Sequence, residues 1–232
     1  DVASRLATDA VAEFFRQTDQ EDATWPAGLN IKLSEEENRL LTGVRLANRR
    51  VFERSLTSQD LRGMGTTVVC ATLSRDCSRI AVAHVGDSRA YRVRQGRIEQ
   101  LTRDHSLLSD MLLAMPDLSE QQRAEVPKNV VTRALGVQDS VAVDIGSYEV
   151  QGGDVYVLCS DGLSGMVSDE EIRDVVLASP EPDVACHRLV GLANQHGGED
   201  NITVLVMRVA EAALTEVTLV PPPPDSRSGA SL

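Results

Sequence analysis

The sequence predicts an α+β fold with antiparallel sheets, and three observations carry that prediction. Apolar residues recur at helical spacing in two segments at the front and again in the second half. Runs rich in Val, Thr, Ile and Tyr crowd between Thr66 and Leu101, then return at Val143–Val150, Val155–Cys159 and Ile202–Val209. The elements come in blocks, helices then strands then helices and strands, rather than in the strand–helix–strand alternation of a parallel sheet.

The first helix rests on Val2, Leu6, Ala10, Val11, Phe14 and Phe15, one apolar stripe over residues 2 to about 17. A loop marked by Trp25-Pro26-Ala27-Gly28 follows. Ser34 with Glu37 three residues later has the form of a capping box, and Leu40, Leu41, Val44, Ala47, Val51 and Phe52 carry a second helix to about Arg54. Strands are expected at Thr66–Leu73, Arg79–Val85, Ala90–Arg94 and Arg97–Leu101, the last two joined by a Gln95-Gly96 hairpin turn. Read as consecutive partners, they make an antiparallel meander. Residues 106–115 and 119–126 read as helices, the second capped by Ser119. Gln151-Gly152-Gly153-Asp154 joins the next two strands, Ser168 with Glu171 caps a helix to about Ala178, and residues 183–195 form another before the last strand.

Composition bounds the function. The 232 residues carry 23 Lys plus Arg against 35 Asp plus Glu, a formal charge of −12, and the basic residues come in pairs among carboxylates. A nucleic-acid binder needs a concentration of positive charge, so that class is excluded. No apolar run approaches the roughly 18 residues that span a bilayer, and no basic segment leads an apolar one at the front, so neither a membrane span nor export is expected. Cys70, Cys77, Cys159 and Cys186 form no C-x-x-C pair, which fits a reducing cytoplasm and gives no zinc knuckle. With 42% hydrophobic residues the chain suffices for one sizeable core. Residues 1–210 are read as one domain, and 211–232, with Pro221–Pro224, as a Pro-rich tail or linker.

Three acidic residues stand at element ends: Asp104 in Thr102-Arg103-Asp104-His105-Ser106, Asp161 in Cys159-Ser160-Asp161-Gly162-Leu163, and Asp200 in Gly198-Glu199-Asp200-Asn201. Each alone is weak, because Asp-Gly after a strand is most often a turn. If the strands ending at Cys159 and starting at Ile202 pair antiparallel, the end of one lies beside the start of the other and Asp161 meets Asp200. Two carboxylates on a rigid sheet repel unless a proton or a cation sits between them. Oxygen-only ligands favour hard ions, so Mg²⁺ or Mn²⁺ is expected rather than zinc. No cysteine is followed by Arg six positions on, Gly86-Asp87-Ser88 finds no Asp-x-x-His base downstream, and the four histidines show no cluster by spacing. His187, four residues after Asp183, reads as a helix-surface residue, and His105 as a helix N-terminal one.

Six motifs in order resemble the type 2C metal-dependent protein serine/threonine phosphatases, particularly the bacterial single-domain members. They are Gly63-Met64-Gly65-Thr66-Thr67, Ala83 to Tyr91 with Gly86-Asp87-Ser88-Arg89 at its centre, Leu101 to Ser106, Val131-Thr132-Arg133-Ala134-Leu135-Gly136, Ser160-Asp161-Gly162-Leu163, and Glu199-Asp200-Asn201-Ile202-Thr203. The resemblance covers about residues 1–209 and implies an αββα sandwich, two antiparallel sheets face to face with a helix pair outside each. It also implies two Mn²⁺ or Mg²⁺ ions with Asp161 and Asp200 among their ligands, and a third, weaker ion at Asp104 with Asp161. A water bridging the two ions would attack phosphoserine or phosphothreonine of protein substrates, a Ser/Thr kinase and its targets being the expected ones. Gly86-Asp87-Ser88-Arg89 and Arg133 match stretches assigned to building the sheet and its turn. A cytoplasmic monomer is expected.

The departure lies at the front. The family's phosphate-holding Arg, its Glu-Asp pair and its Asp-Gly-Met-Gly-Gly stretch, which includes the bridging Asp and adjoining sheet strands, have no match in these residues. The 232 residues by themselves are therefore expected to bind Mn²⁺ weakly and to show little turnover. The competing expectation from another class is a non-catalytic pseudophosphatase that binds phosphoproteins through the same face.

Overall fold

A computed structural model describes residues 2–19, 29–127 and 130–211 of the chain. The Trp25–Gly28 loop and the tail from 212 onward lie outside the described residues.

Two helices come first, α1 (Val2–Gln17) and α2 (Glu35–Ser55). Ser34 and Glu37 close the expected capping box, each side chain accepting from the other's backbone N–H. On α1 the buried residues are Ala3, Ala7, Ala10 and Phe14, and on α2 Leu40, Val44, Ala47 and Val51, so each helix turns one stripe inward at three- and four-residue spacing. Both stripes join the core over a three-stranded sheet, with small Ala81 and Ala83 beside Val85 on the helix side of its central strand.

The strands are β1 (Val68–Leu73), β2 (Arg79–Val85), β3 (Arg89–Arg94), β4 (Arg97–Gln100), β5 (Asp144–Glu149), β6 (Val155–Cys159) and β7 (Val204–Arg208). They form two antiparallel sheets, β1-β2-β5 and β4-β3-β6-β7. Between β4 and β5 run α3 (Leu107–Ala114) and α4 (Glu120–Glu125). Between β6 and β7 lie α5 (Asp161–Ser164), α6 (Asp169–Leu177) and α7 (Pro182–Gln195). Leu163, Ile172, Val176, Ala185 and Leu189 from this second helix group pack on Tyr91, Val93, Val155 and Val157. Where the sheets face each other, Ile80, Val82, Ala90 and Tyr156 are buried against Val69, Ala71 and Leu158. Alternate residues of β2 and β6 thus serve two cores, as strands covered on both faces must. The arrangement is the αββα sandwich.

The meander expected from strand order breaks in the middle. β1 pairs with β2 and β3 with β4, but β2 continues to β5 while β3 continues to β6. The cause is Gly86, at φ +108°, where the chain leaves one sheet for the other. A Cβ there would stand 2.3 Å from Cγ2 of Thr67 and 3.1 Å from its Cα, so only glycine fits the crossing. Gln151–Asp154 likewise passes between sheets rather than closing a hairpin.

Asn48, 1% exposed in the middle of α2, fixes a distant loop to this frame. Its Oδ1 accepts from Gly136 N at 2.8 Å, and its Nδ2 donates to the carbonyls of Gln138 and Asp139 at 3.0 and 3.1 Å. Asn48→Ala leaves the buried Gly136 N–H without its acceptor, at about 1–3 kcal/mol for an unsatisfied group, and frees the loop carbonyls of Gln138 and Asp139. The urea midpoint of the variant is expected to fall by an amount equal to about 2 kcal/mol or more. A midpoint within about 0.5 kcal/mol of the parent would show that water replaces the amide there.

Candidate metal centre

The register of the four-stranded sheet gathers four chain ends at one edge. Arg89 opens β3 opposite Cys159, the last residue of β6, and Cys159 in turn faces Val204, the first residue of β7. β4 ends on the same side, since Gln100 pairs with Tyr91 and Leu101 N donates to Ala90 O at 2.7 Å. Asp87 just before β3, Asp104 just after β4, Asp161 just after β6 and Asp200 just before β7 therefore all leave the sheet at this edge.

The pairing expected between the strands of Asp161 and Asp200 is present and continues beyond the regular ladder. Ser160 N donates to Thr203 O at 3.1 Å, Thr203 N to Ser160 Oγ at 3.0 Å, and Ser160 Oγ to Asn201 O at 3.0 Å. Gly162 permits this: a Cβ there would be 2.4 Å from the carbonyl oxygen of Asn201. Asp161 proves to be the first residue of the short helix α5 rather than part of a turn, with its carboxylate accepting from Gly162 N at 3.0 Å. Asp200, exposed, accepts from Asn201 N at 2.6 Å. Among the described residues neither carboxylate is in an ion pair.

Asp104 is different. Arg89 grips it with two nitrogens, Nε to Oδ1 at 3.0 Å and Nη2 to Oδ2 at 2.7 Å, and Gln100 Nε2 donates to Oδ1 at 2.9 Å. Burial works against the Arg89 charge, but its interactions with Asp104 and Tyr91 together outweigh it and the guanidinium pKa is raised. Arg89 also reaches the buried Tyr91 hydroxyl at 3.0 Å. The Gly86-Asp87-Ser88-Arg89 stretch, expected only to build the sheet and its turn, does make the crossing but also supplies this clamp.

Asp87, absent from the candidates drawn from the sequence, faces the same edge. Burial raises its pKa first, and the charges of Asp161 and then Asp104 raise it further. Asp87, with the charges of Asp161 and Asp104 acting on it, adds an oxygen donor of the hard kind that suits a divalent ion. The signal in the sequence was its place two residues before a strand start, which is informative only once the strand partners are known.

A second constellation forms beside the first. His84 and His105, though 21 positions apart, stack with ring centroids 4.7 Å apart and planes 17° off parallel. With Asp144 they bring three possible ligand atoms within 4.8 Å. Spacing alone had shown no histidine cluster; the two rings meet because β2 and the loop after β4 converge at Gly86. The trio has donors that zinc accepts, but Arg133 already stands in it, its Nη1 2.6 Å from Asp144 Oδ1 and 2.9 Å from His105 Nε2. His105, expected as a helix N-terminal residue, is 1% exposed, and burial lowers its pKa despite the Asp144 hydrogen bond. His187 is on the surface of α7, bonded to Asp183 O at 2.8 Å.

With this geometry in place, the likeness to known proteins is specific. Residues 1–187 match the family described as Protein phosphatase 2C, a stretch that includes Asp104 and Asp161 and ends before Asp200. The serine/threonine phosphatase stp of Listeria welshimeri is 34% identical over 213 residues, covering 89% of this chain and 78% of that protein. Among solved structures, the Mycobacterium tuberculosis serine/threonine phosphatase PstP/Ppp superposes with a TM-score of 0.74 at 33% identity, over 90% of this chain and 82% of that one. The PstP catalytic domain in complex with two manganese ions gives a TM-score of 0.74 at 33% identity, over 90% of this chain and 81% of that one. A family match over this much of the chain, on a sandwich that gathers acidic residues at one sheet edge, settles the assignment: the chain belongs to the protein phosphatase 2C family.

Proposed function

We propose that the protein removes phosphate from phosphoserine and phosphothreonine in other proteins with Mn²⁺ or Mg²⁺ held at the sheet edge, Asp161 and Asp200 being ligands of two ions and Asp104 with Asp161 the site of a third. The observation that supports this reading is the β6–β7 pairing, which sends Asp161 and Asp200 off the same sheet edge, with Asp161 near enough to Asp87 to raise its pKa. When bound, such an ion pair supplies a nucleophilic water at neutral pH and offsets charge on the phosphoryl oxygens. The side chains of the chain then need only bind and orient. Arg89 keeps the Asp104 carboxylate aimed, and the Ser160 hydroxyl ties the end of β6 to Asn201 and Thr203 at the approach to β7. A thiol nucleophile is disfavoured at the strands, where burial pushes Cys70 and Cys159 up to about 12.

The wider setting belongs to the same reading. Residues 1–210 act as the catalytic domain and 211–232 as a linker or tail. The protein works as a cytoplasmic monomer on a Ser/Thr kinase and its targets. Among the described residues no helix is long and apolar enough to cross a membrane.

Hydrolysis of a phosphothreonine peptide is expected to require added Mn²⁺ or Mg²⁺, measured on protein that also carries the Arg and the Asp-Gly-Met-Gly-Gly stretch the resemblance calls for. Turnover that survives excess EDTA unchanged would overturn the metal reading, whereas Mn²⁺ binding without turnover would favour the phosphoprotein-binding alternative.

Asp161→Asn and Asp200→Asn are each expected to lower kcat at saturating Mn²⁺ by at least about 100-fold, as loss of a group acting on the reacting centre does. Both carboxylates are exposed and outside the core, so the melting temperature should stay within a few degrees of the parent. Near-normal turnover in both variants would mean that other residues hold the ions.

A further inference from the structure

Arg89 and Gln100 hold the Asp104 carboxylate, and the stacked imidazoles hold the backbone on either side of it. Asp104 lies between Arg103 and His105, and each of these neighbours is bonded by one ring of the pair. His84 Nε2 donates to the carbonyl of Arg103 at 2.8 Å. His105 and Gly86 bond each other twice: His105 N donates to Gly86 O at 2.9 Å, and Gly86 N donates to His105 Nδ1 at 3.0 Å. This ring of two bonds joins the residue after Asp104 to the residue before Asp87.

The two ring nitrogens of His105 have different neighbours. Nδ1 accepts from Gly86 N, whereas Nε2 faces Asp144 Oδ1 at 3.4 Å and Arg133 Nη1 at 2.9 Å. Arg133 Nη1 secures that same carboxylate oxygen at 2.6 Å and bonds Ala142 O at 3.2 Å. Asp144 therefore orients the ring, while the ring's other nitrogen does the holding.

We propose that His105, stacked on His84, is a positioning residue for the cation site: by clamping the Gly86 peptide it sets Asp104 and Asp87 at one fixed placement relative to Asp161. This rests on the reading of Asp104 as a ligand. A residue that merely fills the core would change stability alone, whereas the clamp depends on which nitrogen is replaced. Asn places its Oδ1 where Nδ1 stands and keeps an acceptor for Gly86 N–H. Gln reaches toward Asp144 as Nε2 does and leaves the Gly86 amide without its acceptor.

The test is Mn²⁺ binding to the 232-residue chain, followed by the loss of the free Mn²⁺ signal in electron paramagnetic resonance, beside thermal melting of each variant. His105→Gln is expected to weaken Mn²⁺ binding about tenfold or more, in the range for loss of an outer partner of a metal ligand, and His105→Asn to stay within about twofold of the parent. Equal affinity in all three proteins, or equal loss in both variants, would overturn the proposal. Asp104→Asn separates the layers: if it leaves Mn²⁺ binding unchanged, the ligand reading fails, and if it weakens binding while His105→Gln does not, only the clamp fails. Should His105→Gln not fold, Asp144→Asn supplies the second measurement. That variant keeps the Gly86 bond and should bind Mn²⁺ within about twofold of the parent, and a tenfold loss would assign the effect to the outer contacts instead.

Discussion

The register of one four-stranded sheet governs the rest of the molecule's chemistry. Because Arg89 faces Cys159 and Cys159 faces Val204, the start of β3, the end of β6 and the start of β7 lie in a row, with the end of β4 beside them. A slip of one residue between β6 and β7 would turn Val155 and Val157 from the helix core toward the other sheet and move Asp161 away from Asp200. The same apolar alternation that builds the core of Leu163, Ile172 and Leu189 thus fixes where the carboxylates stand. Core packing and site geometry are one constraint here.

Charge at that edge is divided unevenly, and the division is physically meaningful. Asp104 meets a guanidinium that cannot give up its proton, in a two-point geometry that leaves little freedom. Asp161 and Asp200 accept only from local backbone N–H groups, and Asp87 has burial and two like charges working against its ionisation. Like charge and burial at Asp87 raise the free energy of this edge, and a divalent ion, as proposed, would lower it. Arg89 already occupies both Asp104 oxygens, so a cation proposed at Asp104 would have to compete with it.

Much of this was legible from residues alone. Capping by Ser34 with Glu37 and by Ser168 with Glu171, the Gln95-Gly96 turn and the amphipathic stripes of α1 and α2 all appear where the spacing puts them. Asp104, Asp161 and Asp200 were visible as acidic residues at element ends, and the pairing of the strands beside Asp161 and Asp200 followed from the antiparallel rule. Asp87, Arg89 and Arg133 were read as builders of turns. The structure gives them electrostatic neighbours that lie 15 or more positions away for Arg89 and Asp104, and 28 away for Arg133 and His105.

The sequence by itself determined what depends on neighbours within a few residues: helix ends, turn types, the period of each strand and the chemical class of the donors. Those features rest on short-range hydrogen bonds and side-chain spacing along one segment. Tertiary structure alone decided which sheet each strand joins and which distant side chains meet. Period-two alternation is the same for β2 and β3, and nothing in either strand says that Gly86 sends them to opposite sheets. That crossing, possible because no Cβ presses on Thr67, stacks His84 on His105 and brings Asp87 beside Asp161, and it is enforced by packing between layers rather than by any local signal.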